Sequence, residues 1–453
     1  MIFGLLLAVF VAPALCGNAS ASIDTETLAS VFGIVNSYPA LPAATALPSQ
    51  VAAVSPATLV DPEYWDASDF SPAGADYDAF DWALTKRVAS TSSDNFLLSP
   101  LGLKLALAIL TEAATGQTQA ELSAVLGFDL DRNTVRMKFA NIIKSVQTKH
   151  PQYILNLGSR IYVGDNANPR QRFAAIAKDS YYTDITPLDF SKPVEAAKGI
   201  NAWIANITEG RITHLVNSDD VASVAVMVLN TLYFKGTWRH QFPPNATKNG
   251  PFFVNSKVQK QIPFMNLRGR FYYADSSKFN AKILRMPYLG NKNSMYIIVP
   301  NSILGLSQIL GQLNELRTEM IYLQDSIVDV TLPRFHFEYT SLLDGTLRDL
   351  GIRQAFEDTA SFPGIARGQT LKDRLKISKV LQRSGIEVNE LGSVAYSATE
   401  ISLVNKFGED SYTNHEVIAN KPFIFFIQDE QTKQLLFTGR VSDPSLADGS
   451  LKS

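Results

Sequence analysis

Cysteine, metal-binding patterns and the common catalytic motifs are largely missing from this sequence. Its 453 residues include one cysteine, Cys16, so neither a disulfide framework nor thiol chemistry is expected. The five histidines are scattered and lack the spacing of metal ligands, such as H-E-x-x-H. There is no G-x-S-x-G elbow, Walker A loop or G-x-G-x-x-G motif. The sequence therefore predicts a protein that is not an enzyme and that needs no metal or cofactor.

Basic residues are missing from the first 85 positions. That segment has nine acids and no Lys or Arg; the acids are Asp24, Glu26, Asp61, Glu63, Asp66, Asp69, Asp76, Asp78 and Asp81. The rest of the chain contains all 41 Lys and Arg residues and 34 of the 43 acids, so its net charge is +7. This asymmetry fits a polyanion-binding face or an intramolecular charge contact. The simpler interpretation, which we favour, is scattered surface charge.

Long apolar runs are also few. Residues 2–12 form an apolar run that is too short to span a membrane, and the small residues of Ala14-Leu15-Cys16 follow it. This pattern is typical of a secretory signal peptide, which we place at residues 1–16, and it predicts a secreted, extracellular protein with no membrane partner. Residues 17–75 are acidic and rich in Ala, Pro and Ser, which indicates a flexible extension.

Hydrophobic periodicity predicts helices first and strands later. Helical spacing occupies the segments that begin near residue 77 and those at 103–114, 119–148 and 194–209. The run 224–234 is almost continuously apolar and rich in β-formers, which indicates a strand buried on both faces. Alternation over 327–337 predicts one long strand, and the segments 423–427 and 435–441 predict a strand pair around a turn. The fold class is therefore α+β.

One segment does not fit a compact domain. Residues 391–420 contain no proline and no strong core pattern, although strand-rich segments lie on both sides. Loops of this length inside a domain are uncommon and are usually functional. The sequence therefore predicts a functional loop close to the C-terminus.

Six short motifs resemble those of the serpin family. They are 95–100 (NFLLSP), 114–118 (ATGQT), 229–238 (LNTLYFKGTW), 286–288 (MPY), 332–335 (LPRF) and 417–427 (VIANKPFIFFI). Each motif alone is weak, but all six occur in the family's order. The resemblance implies one serpin domain over residues 76–444, followed by a C-terminal tail at 445–453.

The resemblance to serpins implies a fold and a mechanism. The expected serpin fold has three β-sheets, about nine helices and an exposed reactive-centre loop at about 391–416. A serine protease attacks that loop and forms an acyl-enzyme, and the cut loop then inserts into the large sheet and carries the covalently bound protease with it. The native inhibitor is expected to be a metastable monomer whose stored strain is released by insertion.

The resemblance also assigns roles to two sets of residues. The hinge of the loop comprises Glu390, Gly392, Ser393, Ala395, Ser397 and Thr399. The region where the sheet opens comprises Asn95, Ser99, Asn230, Trp238 and Gln382. Two positions depart from the family's pattern, because Gln382 stands where members often carry His and Gly102 stands where a second Ser is expected.

The loop sequence suits insertion and cleavage. In an extended chain, alternate residues from Ser393 to Thr399 share one face, and these are small and uncharged, so they can be buried at little cost. Family spacing places the scissile bond at Lys406–Phe407. Lys406 is also the only Lys or Arg between residues 383 and 421, and trypsin-like proteases require a basic residue before the bond. Cleavage after Phe407 by a chymotrypsin-like enzyme is the rival prediction.

Two functions remain open at this stage. Similarity to insect haemolymph serpins implies restraint of a secreted clip-domain protease in melanisation or innate immunity. The alternative is a non-inhibitory serpin, a ligand carrier or storage protein, which would be cut without forming a covalent complex.

Weaker patterns predict modification and polyanion binding. Three sequons predict N-glycosylation at Asn18, Asn206 and Asn245. Five basic residues predict either weak glycosaminoglycan binding or, more simply, a solvated helix face; they are Arg132, Arg136, Lys138, Lys144 and Lys149. No motif indicates a nucleic-acid partner.

Overall fold

The computed structural model describes residues 79–451, apart from 129–130, 147–152, 165–168, 223, 366–374 and 394–414. The ten α-helices of this part of the chain are α1 (Ala79–Ala89), α2 (Pro100–Ala113), α3 (Gly116–Leu126), α4 (Arg132–Val146), α5 (Gln171–Tyr181), α6 (Pro193–Ile207), α7 (Ser218–Val221), α8 (Leu306–Gly311), α9 (Leu316–Met320) and α10 (Asp344–Leu350). Three short 3-10 helices lie at Pro244–Ala246, Leu313–Glu315 and Gln354–Phe356. None of these helices has the length and apolar content needed to cross a membrane.

Helix α2 illustrates how local sequence sets the helix boundaries. The hydroxyl of Ser99 caps its first turn by accepting a hydrogen bond from the backbone N–H of Gly102 at 3.3 Å. Pro100 occupies the first helical position, where a missing N–H leaves no hydrogen bond unmade. Almost every side chain of α2 is buried, because the helix packs against both β-sheets.

The sixteen strands of the described chain are interleaved with the helices more than the sequence predicted. They are β1 (Phe96–Leu98), β2 (Tyr153–Gly164), β3 (Thr183–Leu188), β4 (Val226–Thr237), β5 (Lys248–Phe253), β6 (Gln259–Ser276), β7 (Ala281–Pro287), β8 (Asn293–Pro300), β9 (Gln324–Pro333), β10 (Phe335–Leu342), β11 (Lys379–Asn389), β12 (Gly392–Ser393), β13 (His415–Ile418), β14 (Phe423–Asp429), β15 (Leu435–Val441) and β16 (Asp448–Leu451). They join into two hydrogen-bonded sheets.

The seven-stranded sheet has the order β16-β10-β11-β12-β4-β2-β3. Its centre is β4, which is buried on both faces, as the apolar run predicted. On one face of β4, Met227 and Leu229 pack in a cluster with residues of α6. On the opposite face, Val226, Val228 and Leu232 pack in the main core. Strand β11 lies parallel to β4 and pairs with it directly over Lys379–Gly385.

The nine-stranded sheet has the order β1-β15-β14-β8-β7-β6-β9-β13, with β5 added on β6. Strand β6 is 18 residues long, and its two halves pair with different partners, β5 and β7, so two regions of sheet merge into one continuous path. The predicted pair at the C-terminus is confirmed as β14 and β15, an antiparallel hairpin. The α+β class is confirmed by this architecture. The described strands form two hydrogen-bonded sheets rather than the three expected, because the long strand β6 joins two regions of sheet into one.

Two details of the sequence prediction were wrong. The alternating segment 327–337 is two strands, β9 and β10, which end and begin on either side of Arg334 and lie in different sheets. β9 ends at Pro333, although the alternation of side chains continues into β10. Strand β2 and helix α5 were also missed, although α5 has apolar residues at helical spacing, Phe173, Ala177 and Tyr181.

Candidate functional site

The hinge segment, Glu390–Ser393, enters a cleft between two central strands. From Lys379 to Gly385, strand β11 pairs directly with β4. After Gly385 the two strands diverge, and the short strand β12 lies between them. β12 is antiparallel to both neighbours, and Ser393 lies opposite Val388 on one side and Gly236 on the other. The first residues of the loop are thus already part of the sheet.

Glycine is required at position 392. Its φ of +150° lies in a region that residues with a side chain rarely adopt. A Cβ added there would lie 2.0 Å from the carbonyl oxygen of Gly236. The chain can therefore turn into the cleft only because Gly392 lacks a side chain.

Ser393 is fully buried and bonded to an aromatic residue. Its hydroxyl lies 2.7 Å from the hydroxyl of Tyr288, whose pKa is raised by burial. The ring of Trp238 stacks on that of Tyr288 at a centroid distance of 4.5 Å. Polar partners of this kind let a hydroxyl be buried at low cost, so the position suits Ser better than a larger or charged residue.

The turn before β12 is held by hydrogen bonds from the segment that follows β4. The backbone N–H of Trp238 donates to the carbonyl of Leu391 at 2.9 Å, and its indole Nε1 donates to the carbonyl of Asn389 at 3.0 Å. The N–H of Phe242 donates to the carbonyl of Glu390 at 3.0 Å. Three consecutive carbonyls of the hinge turn are thus satisfied by one neighbouring segment.

Glu390 anchors the hinge turn through its side chain. Its carboxylate accepts hydrogen bonds from Arg334 Nε at 2.7 Å and from the hydroxyl of Thr247 at 2.5 Å. Burial alone would raise the pKa of this carboxyl, but the bonds from Arg334 and Thr247 outweigh burial and hold it below its ordinary value. Glu390 is therefore charged and paired at neutral pH.

A second cluster, which we call the Gln382 cluster, consists of Ser99, Asn230 and Gln382. The side-chain amide of Gln382 bonds both backbone groups of Ser99, accepting from its N–H at 2.7 Å and donating to its carbonyl at 2.9 Å. The same amide nitrogen donates to Asn230 Oδ1 at 3.0 Å. Gln382 therefore links β11 to both β4 and the start of α2, at a point where β11 and β4 are still paired.

Gly102 complements this cluster. A Cβ at position 102 would lie 2.2 Å from Oδ1 of Asn230, so any side chain there would displace the Asn230 amide. The two departures from the family's pattern, at Gln382 and Gly102, thus both contact the same Asn230 side chain. Because Gly102 has no side chain, there is room for the Asn230 amide, and Gln382 holds that amide with a hydrogen bond.

The remaining residues predicted for sheet opening do not join the Gln382 cluster. Trp238 belongs to the hinge site described above. Asn95 lies elsewhere, where its amide nitrogen donates to the carbonyl of Asp443 at 2.8 Å and its oxygen accepts from the N–H groups of Ser442 and Asp443. The structure therefore divides the predicted set into three places.

Several predicted residues lie outside the described residues. These are Ala395, Ser397, Thr399, Lys406, Phe407, Lys149 and Asn18. Of the described sequons, Asn206 is exposed at the end of α6 and Asn245 is exposed in a 3-10 helix. Within the described residues, no group of three or more His, Cys, Asp or Glu side chains is arranged to hold a metal ion.

The basic residues of α4 differ in their surroundings. Arg136 pairs with Glu112, which also accepts a hydrogen bond from the hydroxyl of Tyr181 at 2.9 Å. Arg132, Lys138 and Lys144 are exposed on the same helix. Glycosaminoglycan binding by this helix stays a prediction.

Sequence reasoning missed the residues that receive the hinge. Tyr288 and Arg334 lie within motifs that carried the family resemblance, yet no role was assigned to them. Gly236 lies in the 229–238 motif and likewise had no role assigned to it, and Thr247 carried no distinguishing pattern. The one available signal was the small residue at 236, directly after an apolar run, which marks a place of close backbone approach.

Comparisons with known proteins agree with this geometry. A family model described as Serpin (serine protease inhibitor) matches residues 75–444. Serine protease inhibitor 2 of Anopheles gambiae is 36% identical, over 81% of this chain and 91% of the relative. The structure of Serpin48 of Tenebrio molitor superimposes with a TM-score of 0.73 at 30% identity, over 84% of this chain and 99% of that chain.

The fold is also shared with a ligand-binding member. Human thyroxine-binding globulin, solved with its thyroid hormone, superimposes with a TM-score of 0.74 at 24% identity, over 81% of this chain and 97% of that chain. At that identity the likeness concerns the fold alone. The family model covers most of the chain and the mosquito relative is more than 30% identical, so this chain belongs to the serpin family.

Proposed function

We propose that this serpin is a suicide-substrate inhibitor of a secreted trypsin-like serine protease. The protease cuts Lys406–Phe407, forms an acyl-enzyme, and is trapped when the cut loop inserts between β4 and β11. The single observation that carries the proposal is the position of β12, because the hinge already occupies the first rungs of the strand that insertion would complete.

Extending the register of β12 gives each later hinge residue a partner. If the antiparallel register of Ser393 with Val388 and Gly236 continues, Ala395 comes opposite Ile386 and Phe234. Both of these residues are buried, so an alanine fits where a charged or bulky residue would not. The small residues of the loop and the apolar lining of the cleft are complementary.

The next two positions are polar. Their partners on β11 are polar too, whereas on β4 Ser397 would meet the apolar Leu232 and Thr399 the polar Asn230. Continued register brings Ser397 beside Ser384, whose buried hydroxyl makes no hydrogen bond to any other described residue. It brings Thr399 between Gln382 and Asn230, which currently bond each other at 3.0 Å. Insertion must therefore break that bond, and the threonine hydroxyl is suited to bond the two freed amides. The Gln382 cluster is thus a polar link between β11 and β4 that insertion has to replace.

The choice of protease rests on the residue before the scissile bond. A trypsin-like enzyme has an Asp in its specificity pocket and needs Lys or Arg, and Lys406 is the only such residue between 383 and 421. Resemblance to insect haemolymph serpins supports a clip-domain protease of a melanisation or immune cascade as the natural target. Secretion through the signal peptide at 1–16 and glycosylation at the exposed Asn206 and Asn245 belong to the same proposal.

The test is a panel of secreted serine proteases incubated with the full chain and examined on a denaturing gel. We expect a covalent complex with trypsin-like enzymes and a single early cut after Lys406, located by mass spectrometry. Lys406→Ala should abolish the complex with trypsin, whereas Phe407→Ala is the matched control and should retain it. Cleavage without any covalent complex would instead support the non-inhibitory alternative, and a dominant cut after Phe407 would overturn the assignment of the bond.

A further inference from the structure

The seven-stranded sheet has an extra strand at its outer edge, formed by the C-terminal tail. Strand β16 lies parallel to β10, with Glu338 opposite Asp448 and Ser341 opposite Leu451. The N–H of Glu338 donates to the carbonyl of Ala447 at 2.9 Å. The proposed inhibitory mechanism assigns no role to this strand.

The segment before β16 is fixed to the body of the protein. Asn95 bonds the backbone of Ser442 and Asp443, and Lys260 pairs with the carboxylate of Asp443 at 2.5 Å. The same Lys260 ammonium donates to the hydroxyl of Ser445 at 2.8 Å. The chain thus leaves a rigid anchor and reaches the edge of β10 within a few residues.

The two edges of this sheet are protected differently. At one edge, β3 is short and contains Pro187, which has no N–H to offer to another strand. At the other edge, β10 has eight residues, none of them proline, and three of its buried side chains, Phe335, Phe337 and Tyr339, are aromatic. An uncovered strand of this kind is a template for pairing with another chain.

We propose that the described part of the C-terminal tail, residues 445–451, is an intramolecular cover for the edge of β10, which keeps that edge from pairing with a second copy of this chain. The occupant of the edge is the chain's own tail, bound through its backbone in parallel register. The tail lies at the far side of β10 from the cleft between β4 and β11, so this role is separate from trapping.

Backbone hydrogen exchange tests the pairing directly. Because Glu338 N–H faces the tail, alternation along β10 means that Thr340 N–H also faces it, while Tyr339 and Ser341 face β11. In a chain truncated after Pro444, we expect the amides of Glu338 and Thr340 to exchange roughly five- to tenfold faster, with those of Tyr339 and Ser341 unchanged. Unchanged exchange at Glu338 and Thr340 would overturn the proposal.

Two single proline substitutions in the tail provide an independent test in case truncation impairs folding. The parallel register directs the N–H of Gly449 towards β10 and that of Ser450 away from it. Gly449→Pro should therefore reproduce the faster exchange, whereas Ser450→Pro, the matched control, should not. Equal effects of the two prolines would overturn the assigned register.

The oligomeric state tests the protective role. We expect the full chain and Ser450→Pro to remain monomeric in light scattering after gel filtration, while the truncated chain and Gly449→Pro form larger species as concentration rises. Complex formation with trypsin should be the same in all four before association begins. A truncated chain that stays monomeric at every concentration would overturn the role of the tail as a cover.

Discussion

Replacing Ser393 with arginine isolates the contribution of hinge insertion to trapping. Ser393 has no exposed surface, its hydroxyl bonds Tyr288, and its partners in register, Val388 and Gly236, carry no charge. The space there holds a hydroxymethyl group, so an arginine side chain cannot be buried in place. We expect the hinge of the intact variant to leave the cleft, since the strand it forms is only two residues long.

The magnitude differs between the intact and the cleaved protein. In the intact variant the loss is limited to the bond with Tyr288 and a few backbone bonds, about 1–3 kcal/mol. In the proposed inserted form, position 393 would be the first rung of a long central strand and could not leave without unpairing the residues beside it. A buried and unpaired guanidinium there costs roughly 3–5 kcal/mol, because arginine cannot lose its charge.

The assay follows the fate of the acyl-enzyme. In the proposed mechanism, insertion competes with hydrolysis of that intermediate, so a slower insertion would turn the inhibitor into a substrate. We expect Ser393→Arg to be cut after Lys406 at the rate of the unchanged protein, yet to leave trypsin active and to form little covalent complex on a denaturing gel. Ser393→Ala is the control: it loses only the hydroxyl and should retain most of the complex. Covalent trapping by Ser393→Arg at the unchanged rate and stoichiometry would refute the reasoning and the hinge register with it.

Three further outcomes follow from the described contacts. The protein cleaved at Lys406 should melt at a higher temperature than the intact protein in calorimetry, since insertion adds a fully bonded central strand, and equal melting temperatures would show that the loop stays outside. Gln382→Leu should lower the free energy of unfolding in urea by about 2–4 kcal/mol, because it leaves Ser99 and Asn230 with unpaired buried groups; an unchanged free energy would contradict the role assigned to the Gln382 amide. The pKa of Glu390 lies below its ordinary value of 4.5, so its pairing with Arg334 stabilises the fold above that pH and is lost as pH falls through the lowered value. Glu390→Gln should accordingly flatten the acid limb of a thermal stability profile, and an unchanged limb would mean that other acids dominate it.

The sequence alone determined the parts of this protein that depend on short, repeated patterns. The continuous apolar run predicted β4 as a strand buried on both faces, and the two apolar segments around residue 430 predicted the β14–β15 hairpin. Periodicity carries this information because one side chain in two or four must face the core whatever the rest of the chain does.

The tertiary structure decided the contacts that join distant residues. Gln382 and Asn230 are separated by 152 residues and Ser393 and Tyr288 by 105, and no local pattern specifies either bond. The break at Pro333 between β9 and β10 and the pairing of the tail with β10 were likewise invisible, since side-chain alternation does not record which strand supplies the hydrogen-bond partner. A sequence records which faces are apolar, whereas the partner of each buried polar group depends on where the whole chain brings other polar groups, and that is fixed only when the fold is complete.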